Sequence, residues 1–343
     1  MSDRPSPGSA VVIGASGLLG RAVCRYLVRE GWQVTGVCRH PPVAGRPEDE
    51  EFPPVEWVAA DRRQEGILDP LLSRGPRLVV DLALHGPDEA LSLVRAWVPG
   101  GPTRFVATGT VGEEGVHRPL AGPLPEGASP DPDDDPHSLG CVDAWRVLAQ
   151  ARAQRGFPFA WAVLPRLWGP GDRSGRDAAW IGAILDGLPV LLRGDGRARL
   201  PDGSSAAAAA AVVAGGTLPQ LEGRRYHACG PSGTLALALV GAAADALGRS
   251  ARVALVPPQA WAEFERARGC RVDPALPDRD LVLERTALDA AGIGTDSSPE
   301  AGMAEAARFV ARHRDSVPPG PGAPPEVIAS LARAGRILEA GGR

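Results

Sequence analysis

Three glycines lie at three-residue spacing near the amino terminus, in the sequence Val-Val-Ile-Gly-Ala-Ser-Gly-Leu-Leu-Gly-Arg of residues 11–21. An apolar run precedes them and an amphipathic stretch follows, so the pattern predicts a strand, a tight turn and the start of a helix. Such a turn lets the backbone approach a diphosphate, whose oxygens the free N–H groups of the helix start can bind. The alternative is a turn that only packs helix on sheet. The loop predicts a dinucleotide site whose contact residues are Gly14, Ser16, Gly17, Leu18, Leu19 and Gly20.

Residues that follow the next predicted strands indicate which dinucleotide would fit. Arg39 and His40 follow the second strand, where an acidic residue would bind the ribose 2′-hydroxyl of NAD. A guanidinium suits a 2′-phosphate instead, so NADP(H) is favoured over NAD(H), although Arg39 could be an ordinary surface cation. Asp61, which ends the third strand, could accept a hydrogen bond from the adenine amino group or cap the following turn. Ala83 is the last predicted cofactor contact.

Histidines and one cysteine are the candidates for proton transfer. His137 and Cys141 are four residues apart in a predicted helix, which places them on one helix face. A free imidazole has a pKa of about 6.5 and can give or take a proton near neutrality. His85 follows the fourth strand at its carboxyl end, the edge at which open α/β sheets bind ligands. His117 is expected to be an exposed loop residue. A Cys–His nucleophile pair remains an alternative, whereas a metal site is not predicted because no third or fourth ligand is visible.

The elements that must position these residues form a regular alternation. Short apolar runs alternate with amphipathic stretches over the first 170 residues, which predicts a Rossmann-like, doubly wound α/β fold with a parallel sheet. Asp135 is predicted to cap the helix that carries His137, with Pro136 at its first position. The expected strands are 10–13, 34–38, 55–59, 78–82, 104–107 and 159–164, and the expected helices are 18–29, 89–98 and 136–155.

The chain is expected to have three parts. Residues 1–170 form the NAD(P)-binding Rossmann-like domain, and 171–314 form a smaller C-terminal α/β substrate-binding lobe with some chain returning to the sheet. Residues 315–343 form a Pro/Gly linker and a C-terminal helix. The apolar stripe of that helix is expected to dock on the chain itself rather than on a partner, and it consists of Val327, Leu331, Ala334 and Leu338.

The composition excludes several classes of protein. All 37 cationic side chains are arginine, and the 343 residues include no lysine and no asparagine. This excludes Schiff-base and P-loop lysines and asparagine-linked glycosylation. The net charge of −4 argues against a nucleic-acid partner. The five cysteines are scattered and no apolar run is long enough for a membrane span or a signal segment, so a soluble cytoplasmic protein is expected.

The glycine loop, Asp61 and the segment Leu-Pro-Arg-Leu-Trp-Gly-Pro-Gly-Asp of residues 164–172 together resemble the extended short-chain dehydrogenase/reductase family, in its NAD-dependent epimerase/dehydratase group. The resemblance covers about residues 10–314 and implies a nicotinamide dinucleotide, with a possible homodimer through the helix 136–155. It also implies a Ser or Thr at the end of the fifth strand, which Thr108 matches, and a Tyr-x-x-x-Lys pair on the next helix. His137 falls at the Tyr position and Cys141 at the Lys position, so this sequence is an atypical member that lacks the pair.

The missing pair leaves three functions open. The favoured one is non-redox acid–base chemistry on a small organic metabolite, such as cyclisation, isomerisation or dehydration, in secondary metabolism. His137 would then be the main acid or base, and Thr108 would donate a hydrogen bond to a substrate oxygen. The first alternative is an NADP-dependent reductase or epimerase with rewired proton transfer. The second is a non-catalytic nucleotide-binding or scaffold protein.

Overall fold

The computed structural model of the chain describes residues 7–43, 52, 54–115, 122–132, 134–172, 175–230, 233–268, 280–294, 297–315, 329, 332–333 and 335–340. The strands are β1 (Ser9–Ile13), β2 (Gln33–Cys38), β3 (Glu56–Ala59), β4 (Leu78–Asp81), β5 (Arg104–Thr110), β6 (Phe159–Leu164), β7 (Leu167–Trp168), β8 (Val190–Arg193), β9 (Arg199–Leu200), β10 (Gly203–Ser204), β11 (Arg225–His227), β12 (Thr234–Leu235), β13 (Ala251–Val256) and β14 (Arg336–Ala340). The helices are α1 (Leu18–Arg29), α2 (Asp69–Leu72), α3 (Pro87–Ala96), α4 (Pro136–Arg155), α5 (Arg176–Leu185), α6 (Ser205–Thr217), α7 (Ala236–Ala246), α8 (Pro258–Arg268), α9 (Thr286–Ala290) and α10 (Pro299–Arg312), with 3-10 turns at Val111–Glu114 and Pro219–Leu221.

A seven-stranded parallel sheet forms the centre of the molecule, in the order β11-β6-β5-β4-β1-β2-β3. The short apolar runs form these strands because residues buried on both faces of a parallel sheet must be apolar. Sequence order reverses beside β1, which pairs with β2 on one side and β4 on the other. Ligands bind at such a reversal, in the crevice at the carboxyl ends of the strands. The predicted Rossmann-like, doubly wound α/β fold is confirmed.

Helices cover both faces of this sheet. On one face α1 and α6 pack in a common apolar layer with Val12, Val80 and Val106. On the other face α4, together with Leu93 of α3, packs in a layer with Val79 and Phe105. Within the part of the chain that the structure describes, no helix combines the length and the apolar character needed to cross a bilayer.

A second sheet, in the order β14-β13-β8, packs with α5, α7 and α10 in a separate apolar cluster. The strand β14 corrects the end of the predicted C-terminal helix, because Leu338 lies in a strand opposite Val253 of β13, whereas residues 329, 332 and 333 are helical. Leu338 and Ala340 alternate along β14 and both pack on this cluster, so a strand buries them as well as a helix would, and it also pairs with the edge of β13. The rest of the expected apolar stripe (Val327, Leu331 and Ala334) and the expected linker at 318–325 lie outside the described residues.

Candidate functional site

The glycine turn joins β1 to α1 at the point where the sheet order reverses. Gly14 has a φ of +81°, a conformation that side chains other than glycine rarely adopt. Its N–H donates to the carbonyl oxygen of Val37 at 2.9 Å. A Cβ on Gly20 would lie 2.2 Å from the carbonyl oxygen of Gly14, so only glycine lets α1 begin this close to the turn. Gly17 precedes α1 and no side chain caps the helix, which leaves the N–H groups of its first turn available to an anion.

A cleft of about 560 Å³ runs along the carboxyl ends of β1, β2, β3 and β4. Three of the predicted cofactor contacts do not line this cleft: Leu18, Leu19 and Gly20 lie in the first turn of α1. Next to the cleft lies a more open hollow of about 640 Å³, and the two share Arg39, Ala60, Asp61 and Arg63. Predicted site residues that do line the cleft are Gly14, Ser16, Gly17, Arg39, Asp61, Ala83 and His85.

Arg39, Asp61 and Arg63 form the charged end of this cleft. The backbone N–H of Arg63 donates to the Asp61 carboxylate at 3.0 Å, and the Arg63 guanidinium lies 3.4 Å from it. These hydrogen bonds, with the nearby charge of Arg39, hold the pKa of Asp61 below its usual value. Asp61 therefore caps the turn after β3, which was one of the two roles predicted for it. Arg63 was missed, although two consecutive arginines directly after a strand could have indicated it.

A buried ion pair lies beside the cleft, and one of its members, Arg62, lines the cleft. The Arg62 guanidinium binds the Asp81 carboxylate, and it also donates to the Ser92 hydroxyl at 2.9 Å and to the Glu89 carbonyl at 2.8 Å. The second oxygen of Asp81 accepts the N–H of Ala83 at 3.0 Å. The pair thus fixes the ends of β3 and β4 and the start of α3 relative to each other. Neither residue was predicted; the available signal was a carboxylate that ends an otherwise apolar strand.

The two candidate histidines, His85 and His137, lie against each other at the edge of the cleft. Their ring centroids are 5.3 Å apart and their planes are inclined by 57°. The Asp135 carboxylate accepts the N–H groups of His137 and Ser138 at 3.0 Å each, which confirms the predicted cap and fixes the start of α4. Partial burial, together with the neighbouring His137, lowers the pKa of His85 below its ordinary value. His85 is therefore neutral at pH 7 and able to accept a proton.

Cys141 is close to His137 but is not arranged as a nucleophile. Its Sγ lies 4.0 Å from Nδ1 of His137, and only 1 % of the residue is exposed. Burial, with Glu113 and Asp135 adding to it, raises the pKa of the thiol to about 12. The thiolate needed for nucleophilic attack is therefore negligible at neutral pH, and the Cys–His nucleophile alternative is not supported.

Thr108 is buried in β5, where it is paired with Ala162 of β6. Among the described residues that line the cleft, His85 is present, whereas Thr108, His137 and Cys141 are not. His117 lies outside the described residues. Of the two tyrosines in the chain, Tyr226 is fully buried and donates its hydroxyl to the Ala211 carbonyl at 2.9 Å, and Tyr26 lies in α1.

Three further side chains, from β7, α4 and the segment between β6 and β7, have structural partners. Trp168 is fully buried and donates to Asp202 at 2.8 Å, and the Arg166 guanidinium stacks on its ring at 4.1 Å. Asp143 pairs with Arg146 at the surface of α4. In the described part of the chain, no group of three or more His, Cys, Asp or Glu side chains is placed to hold a metal ion.

The parallel sheet, the glycine turn and the cleft at the order reversal define a protein of the Rossmann-like class. The sequence profile of the NAD dependent epimerase/dehydratase family matches residues 10–214, which is more than half of the chain. The chain belongs to this family.

Solved structures share the fold over most of their length. UDP-glucose 4-epimerase from Thermotoga maritima, solved with UDP-glucose, is 16 % identical with a TM-score of 0.68, covering 89 % of this chain and 99 % of its own. An epimerase from Methanothermobacter thermautotrophicus is 15 % identical with a TM-score of 0.72, covering 91 % and 94 %. dTDP-glucose 4,6-dehydratase from Bacillus anthracis, in complex with NAD, is 14 % identical with a TM-score of 0.70, covering 90 % and 97 %. No curated protein matches the chain significantly in sequence.

Proposed function

We propose that this protein is an enzyme that binds NADP(H) and catalyses non-redox acid–base chemistry on a small organic metabolite, such as cyclisation, isomerisation or dehydration. One observation carries the proposal: His85 and His137 contact each other beside the cleft. The chain has no lysine, so it has no Tyr-x-x-x-Lys pair. Two adjacent imidazoles can move a proton without a redox step.

The cleft fits a dinucleotide. Gly14, Ser16 and Gly17 form its wall beside the uncapped start of α1, where the diphosphate would be held. Arg39 and Arg63 place two guanidinium groups at the opposite charged end, which suits a 2′-phosphate. When bound, a nicotinamide dinucleotide supplies a hydride donor or acceptor. In the favoured reaction it is a structural part of the site.

The two histidines divide the proton transfer according to their environments. His85 is neutral at pH 7 because its pKa is lowered, so its ring can act as a weak base or accept a hydrogen bond. His137 lies on the exposed start of α4, where it can reach a substrate and act as the acid or base. Thr108 is assigned the donation of a hydrogen bond to a substrate oxygen. A well-placed general acid or base accelerates a reaction by roughly 10²–10⁴-fold.

The second candidate is an NADP-dependent reductase or epimerase in which His137 supplies the proton that the absent tyrosine would otherwise supply. The intact glycine turn supports it, because Gly14 and Gly20 keep the close approach of α1 to the turn that a bound dinucleotide would use. Both candidates use the same cleft and the same histidine. They differ in whether the nicotinamide changes its oxidation state.

A combined absorbance and product assay separates the non-redox reaction from the reductase, whereas an epimerase, which returns the hydride to its substrate, is recognised by an epimeric product. The purified protein is incubated with NADPH and a panel of small carbonyl and hydroxyl compounds, while nicotinamide absorbance and products are followed together. We expect product to form with no change in absorbance. Loss of one NADPH for each molecule of product would instead establish the reductase. Mass spectrometry of the nucleotide that co-purifies, with a thermal-shift titration of NADPH, tests the cofactor assignment directly.

Replacing Arg39 with alanine is expected to weaken NADPH binding roughly 10–100-fold and NADH binding much less. The reason is that a charge-assisted hydrogen bond to the 2′-phosphate contributes about 1.5–3 kcal/mol, and NAD lacks that phosphate. Calorimetric titration with each nucleotide measures the difference. Arg74→Ala is the matched control, because Arg74 pairs with Glu56 and does not line the cleft. Equal losses for the two nucleotides would contradict the 2′-phosphate assignment.

A further inference from the structure

A cluster of four ionisable side chains is buried at the β11 edge of the central sheet, and none of them lines the cleft. Glu113 and Glu114 lie in the 3-10 turn after β5, and Arg225 and His227 lie in β11. Their side chains are at most 6 % exposed. We call these four residues the latch cluster. Charges buried this completely are costly unless each is paired, so the protonation state of the cluster matters for the fold.

Hydrogen-bond donors surround both carboxylates. Glu113 accepts from Arg225 at 3.1 Å, from the Trp161 indole at 3.1 Å and from the N–H of Thr110 at 2.9 Å. Oε1 of Glu114 accepts from Arg225 at 2.7 Å. The hydrogen bonds from His227 and Arg225 lower the pKa of Glu114 despite its burial. Glu114 is therefore an ionised acceptor at neutral pH.

Both ring nitrogens of His227 face atoms that can only accept a hydrogen bond. Nδ1 lies 2.7 Å from the carbonyl oxygen of Glu284, and Nε2 lies 3.0 Å from Oε1 of Glu114. A neutral imidazole has a single N–H, so it would leave one of these contacts as two acceptors at hydrogen-bond distance. We propose that the latch cluster is a buried proton-binding site, in which His227 is doubly protonated at neutral pH and fastens the segments 122–132 and 280–290 to the edge of the sheet.

A protonated His227 would pair with the buried carboxylate of Glu114, which also binds Arg225. Burial raises the pKa of Glu113 above its ordinary value, so the two acceptor atoms at the ring of His227, and not a charge sum, carry the argument. The other charged groups close to His227 bind backbone atoms or each other. The N–H of His227 donates to Glu126, and the Arg285 guanidinium is bound to Asp289 and to the carbonyls of Cys229 and Ile293. Burial raises the pKa values of the nearby thiols Cys141 and Cys229 to about 12, so both stay neutral.

The cluster joins segments that are far apart in the sequence. Glu126 accepts the N–H groups of both His227 and Ala287, at 3.0 and 2.7 Å. The carbonyl of Glu113 accepts the N–H of Asp131 at 3.0 Å. Leu124 exchanges backbone hydrogen bonds with the stretch around 282–284. Release of the proton would therefore loosen two segments together.

Nitrogen NMR of the full chain with labelled histidine tests the protonation state directly. We expect both ring nitrogens of His227 to show the signature of a protonated imidazolium at pH 7. Glu114→Gln removes the carboxylate, and we expect it to convert His227 to the neutral form with the proton on Nδ1. The resonances of His227 are identified by their loss in His227→Gln. If that variant does not fold, replacing the other five histidines leaves His227 as the source of the remaining signals. A neutral imidazole in the unaltered protein at pH 7 would overturn the proposal.

Stability as a function of pH is the second test. Below about pH 6.5 the histidine carries its proton in both the folded and the unfolded chain, so the stabilising effect of the bound proton is complete. Above that pH the unfolded chain releases the proton, whereas the proposed site holds it in the folded chain. The folding equilibrium constant is then expected to fall as the pH rises above 7, with a limiting slope of about tenfold per pH unit. Denaturant unfolding should show this slope in the unaltered protein and in His313→Gln, and not in His227→Gln. The same slope in all three proteins would refute the proposal that the latch cluster binds a proton.

Discussion

Replacing His137 with glutamine is expected to lower kcat/KM by roughly 10²–10⁴-fold, which is the range that a positioned general acid or base contributes. Glutamine keeps a hydrogen-bonding side chain but cannot change its protonation state near neutrality. The fold should be unaffected, because His137 is exposed and Asp135 binds its backbone N–H rather than its ring. Steady-state kinetics with the substrate that the assay identifies measure the loss, and thermal unfolding with an NADPH titration checks that folding and binding are retained.

The matched control is His313→Gln, the same chemical change at the end of α10, where the ring packs on Phe309. His85→Gln should also be impaired, and the double variant should lose less than the two single losses combined, because adjacent groups that act together are not additive.

Activity of the unaltered protein should fall as the pH drops below about 6.5 and His85 becomes protonated. The midpoint of this loss should lie below the ordinary pKa of an imidazole, because the pKa of His85 is lowered. Full activity in His137→Gln would remove this residue from the mechanism.

The fold was predictable because its elements are encoded by local patterns. The helix predicted at 136–155 begins and ends where the structure has α4, since the cap at Asp135 and the proline at 136 are adjacent in sequence to the residues they affect. The six predicted strands of the first 170 residues all lie in the central sheet. The prediction of a helix over the residues of β14 was wrong because their side-chain spacing fits either a helix or a strand. Which of the two forms depends on pairing with the edge of β13, roughly 80 residues earlier in the chain.

The candidate site was predictable in part for the same reason. The glycine turn and the i, i+4 pair of His137 and Cys141 are local patterns. Arg62 and Asp81 are 19 residues apart and Glu113 and Arg225 are 112 apart, so no spacing rule links them. The thiol of Cys141 looked reactive from its position beside a histidine, and only its burial shows that it stays protonated. Burial and pairing arise from tertiary contacts, which one sequence does not display.

Alanine in place of Gly20 is expected to abolish nucleotide binding and to destabilise the fold by about 1–3 kcal/mol or more, the usual cost of overpacking a close contact. The added Cβ would lie 2.2 Å from the Gly14 carbonyl oxygen and 2.7 Å from the Cα of Ala15. Because those are backbone atoms, no side-chain rotation relieves the clash. Either α1 moves away from the turn or Gly14 changes its conformation, and both changes disturb the surface that would hold a diphosphate. Denaturant unfolding and an NADPH titration measure the two effects.

Gly182→Ala is the matched control, because Gly182 lies within α5 and a Cβ there would meet no atom within 4 Å. That change should leave nucleotide binding intact and stabilise the protein by about 0.5–1 kcal/mol, since alanine loses less conformational freedom in a helix than glycine does. Gly20→Ala should keep its binding defect under conditions in which it remains folded, which separates loss of the site from loss of the fold. A folded Gly20→Ala protein that bound NADPH as tightly as the unaltered one would show that the diphosphate is held elsewhere, and the assignment of Gly14, Ser16 and Gly17 would fall with it.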